Sequence, residues 1–212
     1  LLGVTYRREE QVVAWHKHVI GGEFDSGQAV VESIATLPTD TGEDSLYMIV
    51  KRTINGTTKR YIEKLKLFDF GEDTTTAFFV DSGLSYSGSS TTTLSGLYHL
   101  EGETLQVLGN GATHPDETVS SGGITLDYPS TTAAVGYGYD SNMQTLRIES
   151  GSVDGTSQGK PKRIHAITVR FYETVGAEVG NDAGEIERII LRNSYMAMDT
   201  AVPLFTGDKD IE

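Results

Sequence analysis

The chain has 212 residues, a formal net charge of −13 and no cysteine; 37% of its residues are hydrophobic and 22% are charged. That balance is ordinary for a soluble globular chain and excludes a disordered one, and the length suffices for one large or two small domains with a real core. The missing cysteines exclude disulfides, thiolate metal sites and cysteine nucleophiles, and no apolar run approaches the roughly 18 residues of a membrane span, so no membrane anchor is expected.

The charge is unevenly placed. Residues 1–66 carry nine Lys/Arg and nine Asp/Glu; residues 67–146 carry no Lys or Arg against ten acids; from 147 onward eight cations face eleven acids. A cation-free acidic stretch repels nucleic acid and anionic membranes rather than recruiting them.

Alternation, not helical periodicity, runs along the chain. Residues 11–20 (QVVAWHKHVI) form a short β-branched and aromatic strand ending at Gly21-Gly22, and residues 28–37 (QAVVESIATL) a second ending at Pro38. Residues 45–54 and 57–70 alternate on either side of Asn55-Gly56, the strongest short-range signal for a two-residue hairpin turn. Residues 71–76 (GEDTTT) form a polar link. Short strands then follow as AFFVD, GLSYS, GETLQVLG, GITL, TAAVGYGY and TLRIES, with Asn110-Gly111 as a second hairpin turn. Closely spaced strands of this kind predict a small barrel or sandwich. Residues 151–159 form a second polar link, 163–172 (RIHAITVRFY) a long strand, and 185–192 (EIERIILR) reads better as strand than helix. With 24 glycines the whole is expected to be turn-rich and all-β. The first residue is Leu rather than Met, and the chain is expected to be a piece of a longer protein.

Catalytic motifs fail on inspection. His16 and His18 share one face of a strand, a spacing that can bind metal, but no third ligand stands nearby, which favours ordinary surface histidines. The acidic Gly-rich stretches 39–45, 153–159, 179–185 and 206–210 offer oxygen ligands for Ca²⁺, yet none matches the spaced EF-hand loop, and solvated turns explain them. Residues 83–87 (GLSYS) nearly spell a nucleophile elbow but fail at the last position. Gly136-Tyr137-Gly138 lacks the third glycine of a dinucleotide fingerprint. No enzyme activity and no cofactor are expected.

The hairpin KRTINGTTKR (51–60) poses a different question. Its register sets Lys51 opposite Arg60 and Arg52 opposite Lys59, and like charges directly opposite destabilise a strand pair. Three readings compete: a nucleic-acid grip, a solvated edge that discourages aggregation, and a contact with an acidic partner that offsets the repulsion. The acidic partner, in the cation-free stretch of the same or a neighbouring subunit, is the reading we favour. It makes Lys51, Arg52, Lys59 and Arg60 candidate interface residues.

Residues 14–65, with the run INGTTKRYIE, resemble a block in the tail nozzle proteins of short-tailed bacteriophages, also called tail tubular protein B or phage stabilisation protein. Residues 81–137, with LEGETLQVLGNG, resemble the same family and are similar to the small β-barrel named after the first catalytic cysteine half-domain of ubiquitin-activating enzymes, a name that implies no such activity. Residues 158–212 fit the family too. The resemblance implies propeller-like antiparallel strands over 1–70, an inserted small acidic β-barrel over 71–151 and a β return segment over 152–212. It also implies a structural virion protein, a nozzle ring, usually a hexamer, that contacts a tail adaptor protein and through which DNA passes without sequence-specific contact. Assembly would occur in the bacterial cytoplasm. The rival readings are a β-domain that binds host-surface glycans, kept open by Trp15 and ten tyrosines, and a glycan hydrolase using paired carboxylates.

Overall fold

The computed structural model describes residues 1–40, 42–66, 70–71, 73–146, 149, 159–181 and 184–211. Apart from two single-turn 3₁₀ helices at Thr74–Thr76 and Tyr98–Leu100, every regular element among them is a strand. The chain is all-β, built from several small antiparallel sheets. It folds as two compact units, Leu1–Asp140 with Asp199–Ala201, and Ser141–Met198 with Val202–Glu212.

In the first unit, β1 (Leu2–Arg7) pairs with β2 (Val12–Lys17), and β3 (Glu23–Phe24) with β4 (Gly27–Gln28). A three-stranded meander follows, β5 (Val30–Leu37), β6 (Ser45–Ile54) and β7 (Thr57–Lys64). Then come β8 (Asp81–Ser95), β9 (Thr104–Gly109), β10 (Ala112–Thr118) and β11 (Gly123–Tyr137), ordered β10-β9-β11-β8. This sheet is open, with β10 and β8 at its edges, and no closed barrel or propeller is formed among the described residues.

Both Asn-Gly turns form as their chemistry requires. Asn55 and Gly56 have φ of 46° and 69°, and Asn110 and Gly111 have 49° and 76°; positive φ at both central residues gives the twist that matches the flanking strands. The register across the first turn is the expected one, Ile54 opposite Thr57, Arg52 opposite Lys59 and Lys51 opposite Arg60.

Elsewhere the elements depart from expectation. Of the short strands expected in the middle region, residues 145–146 of TLRIES are not in a strand, and most of its rest lies outside the described residues. GETLQVLG forms β9, GLSYS falls within β8, and GITL and most of TAAVGYGY merge into β11, with β8 and β11 each 15 residues long. Their turn-like residues, such as Pro129, sit where the β8–β11 register shifts between Thr125 and Ser130, because proline and bulges coincide within strands. Residues 77–80 lie outside any strand, and β1 and β10 had no alternation to announce them. The expected links at 71–76 and 151–159 lie partly and almost wholly outside the described residues, as do parts of the acidic stretches 39–45, 153–159 and 179–185.

The main core lies over the four-stranded sheet. Leu105 and Val107 of β9, Ile124, Leu126 and Val135 of β11 and Leu94 of β8 close on Leu97, Leu100, Val119 and Ile54. A fully buried leucine of this kind contributes about 1.5–3 kcal/mol. The run Ala133–Tyr137 is buried at every position because β11 lies between β9 and β8. A smaller cluster joins Met48 and Val50 of β6 to Ile20. Strand β6 therefore contributes to both cores, with Ile54 in the first.

In the second unit β12 (Ile167–Thr174) pairs with β15 (Phe205–Ile211), and β13 (Ala177–Gly180) with β14 (Ile186–Ile189). Residues 206–210, expected as an acidic loop, form the body of β15, where Asp208 accepts from Arg170 at 2.7 and 2.8 Å and Asp210 from the Thr168 hydroxyl at 2.6 Å. Leu191 is the only buried hydrophobic among the described residues of this unit.

Candidate functional site

Alternation along β6 sends Val50, Arg52 and Ile54 to the buried face and Lys51 and Thr53 to the other. The two cation pairs of the hairpin are thus split between faces, and each face meets its own carboxylate.

Arg52 is fully buried, at 0% exposure. Its Nε donates to the Gly21 carbonyl at 2.7 Å. Its two terminal nitrogens fork onto the Glu63 carboxylate, Nη1 to Oε1 and Nη2 to Oε2, the latter at 3.1 Å, the bidentate geometry suited to guanidinium. The guanidinium carbon lies 5.4 Å from the centre of the Tyr137 ring. Gly22 has φ +86°, and a Cβ there would stand 2.8 Å from Arg52 Cδ, so only glycine lets the arginine cross. The Gly21 N–H donates to Asp81 Oδ2 at 2.7 Å. One peptide segment is therefore held from both sides, by β6 and by the first residue of β8. Burial raises the Asp81 carboxyl above its ordinary value, opposed by the Gly21 hydrogen bond and the Arg52 charge.

On the other face, Glu32 answers Lys51 and Arg60 together. Lys51 Nζ stands 3.1 Å from Glu32 Oε1, while Arg60 donates from Nε to Oε2 at 2.7 Å and from Nη2 to Oε1 at 3.1 Å. The pairing of β5 with β6 shifts register between Val31 and Ser33, so Glu32 is the extra residue of a bulge, a device that re-aims a side chain. Hydrogen bonds from Arg60, then Lys51, hold its carboxyl below the usual range. Lys51 Nζ also lies 4.1 Å over the Phe24 ring.

An acidic partner for the hairpin thus exists, but Glu32 and Glu63 belong to residues 1–66, not to the cation-free stretch where it was expected. Asp81 is the member of that stretch that feels Arg52. Lys59 is exposed and makes no ion pair among the described residues. Neither glutamate was picked out from sequence: one depends on a bulge, the other on a diagonal reach along β7.

Other acids of the stretch hold backbone. Glu101 accepts from the N–H groups of Ser121 and Gly122 at 2.8 and 2.7 Å, and Glu103 from that of Asn55 at 2.9 Å. The Tyr137 hydroxyl is buried without a hydrogen bond of normal geometry; burial, then the Glu103 charge, raises its pKa. Asp116, Asp127 and Asp140 are exposed.

His16 and His18 meet edge to face at 4.8 Å between ring centres. Burial, then His16, lowers the His18 pKa. The described residues include no group of three or more His, Asp or Glu placed to hold a metal ion. Ser85 lies within β8, not at a strand-to-helix turn. On the β1–β2 ribbon Val4 faces Trp15 and Tyr6 faces Val13, so all four share one side, with Trp15 74% and Tyr6 66% exposed.

No family model matches the chain, and no curated protein matches it.

Proposed function

We propose that the chain is a structural piece of a phage tail nozzle, in the virion of a short-tailed bacteriophage, where copies of the parent protein join in a ring beneath a tail adaptor and DNA passes without sequence-specific contact. In this reading β5–β7 belong to a propeller-like part, the open sheet β8–β11 corresponds to the inserted small β-domain, and assembly takes place in the bacterial cytoplasm. The observation that carries it is the pairing of charge: Lys51, Arg52 and Arg60 are engaged in ion pairs with Glu32 and Glu63, while the neighbouring four-stranded sheet has acids and no Lys or Arg. Such a sheet offers no Lys or Arg charge with which to hold a phosphate backbone. The test is to label the parent protein with an antibody against this chain on intact virions and to weigh the purified parent in solution. Tail labelling together with a ring mass supports the reading; a parent that stays monomeric and absent from tails ends it.

A second reading, a glycan-binding β-domain, is favoured by the exposed Trp15 and Tyr6 on one ribbon face, since aromatic faces stack on sugar rings. Specific glycan-array binding lost in Trp15→Ala would select it.

A further inference from the structure

The two Asn-Gly turns have nearly the same backbone and opposite surroundings. In both, the asparagine and glycine carry positive φ, 46° and 69° at 55–56 against 49° and 76° at 110–111. At the second turn the asparagine side chain is clamped. Asn110 Oδ1 accepts from Thr131 N at 3.0 Å, from the Thr131 hydroxyl at 3.0 Å and from Thr132 N at 3.2 Å, and Nδ2 donates to the Pro129 carbonyl at 3.4 Å. Its glycine is covered as well: a Cβ on Gly111 would stand 2.3 Å from Thr74 Oγ1. At the first turn Asn55 and Gly56 are exposed. A Cβ on Gly56 would meet nothing within 4 Å, and the Asn55 carboxamide makes no hydrogen bond among the described residues.

We propose that Asn55 is a site of spontaneous deamidation and isoaspartate formation, and that Asn110 is protected from the same reaction by its clamp. The Gly56 backbone nitrogen attacks Cγ of Asn55, an N–C bond forms, the Cγ–Nδ2 bond breaks, and the nitrogen leaves as ammonia with the proton from Gly56. Water then opens the five-membered imide at either carbonyl, leaving an aspartyl or an isoaspartyl linkage at position 55. Glycine is the least hindered nucleophile for this attack. The carboxamide must also turn over the next peptide; that of Asn55 lies against Gly102 and gives up no hydrogen bond among the described residues in doing so, whereas that of Asn110 gives up its clamp.

The product acts on the fold. A new carboxylate appears beside Glu103, whose own carboxylate accepts the Asn55 N–H at 2.9 Å. An isoaspartyl linkage lengthens the backbone by one methylene within a two-residue turn that has no slack. Ile54, next in the chain, belongs to the main core, so loosening the turn reaches a buried residue.

The experiment is peptide mapping by mass spectrometry of the intact chain incubated at mildly alkaline pH, folded and in urea. Folded, position 55 converts about tenfold or more faster than position 110, the factor that roughly 1.4 kcal/mol of barrier represents. In urea the two convert at comparable rates. Thr131→Ala with Thr74→Ala raises the rate at 110 and leaves that at 55 unchanged. Equal rates in the folded chain, or no conversion at 55 under conditions where the urea sample converts, overturns the proposal.

Discussion

Arg52 donates from Nε to the Gly21 carbonyl at 2.7 Å, joining the C-terminal end of β6 to a bend 31 residues earlier in the chain. The Glu63 fork completes the shell of this fully buried cation. Removing one partner of a buried charge pair leaves the other uncompensated, at about 3–5 kcal/mol. Arg52→Ala is expected to lose stability on that scale in urea denaturation, and Arg52→Lys to recover little of it, because ammonium cannot reproduce the fork.

Gly22→Ala tests the same junction from the other side. The backbone there is left-handed and the new Cβ meets Arg52 Cδ at 2.8 Å. A loss of about 1–3 kcal/mol is expected, and Gly56→Ala, with open space around it, is expected to lose less.

Glu32→Gln uncovers the Lys51–Arg60 repulsion. Its lowered pKa makes its contribution present above the ordinary carboxylate value and lost as pH falls through the folded value. The variant is expected to melt below the parent chain at neutral pH and low salt, with the gap closing in high salt and again in acid. A gap independent of salt would exclude the electrostatic account. Lys51→Glu with Arg60→Glu, which gathers three carboxylates at one place, is expected to melt lower still.

Asp81 has the opposite sign. Its raised pKa means that the folded chain holds this proton more tightly than the unfolded one. The stabilisation it supplies is complete below the ordinary value of 3.8 and fades as pH rises through the folded value. Asp81→Asn keeps an acceptor for the Gly21 N–H and is expected to flatten that part of the stability–pH curve. Asp81→Leu leaves the N–H unpaired and is expected to cost about 1–3 kcal/mol at neutral pH.

Trp15→Ala removes an exposed side chain and is expected to change stability by about 0.5 kcal/mol or less. Any large effect on glycan binding or on association of the parent protein then reads out recognition rather than folding.

The part of this molecule legible in its sequence is the part set by neighbours in the chain. The KRTINGTTKR turn, its register and the split of its cations between two faces follow from Asn-Gly and period-two alternation. The counter-charges do not, because Glu32 reaches Lys51 and Arg60 only through a bulge and Glu63 reaches Arg52 only on the diagonal. The same limit explains β8 and β11. Ser-, Thr- and Pro-rich pieces resemble turns locally and become strand only when two long neighbours pair across their bulges. Asp81 could be seen as an acid, but not as the anchor of a glycine sixty residues away.

The cation-free sheet has a practical consequence in proteolysis. Trypsin cuts only after lysine or arginine, and between Lys66 and Arg147 the chain offers it neither. Complete digestion therefore releases that whole region as one fragment, whether folded or not. Limited digestion is confined to sites outside that region; within the hairpin, burial of Arg52 and ion pairing of Lys51 and Arg60 leave Lys59 as the cation without an ion pair among the described residues.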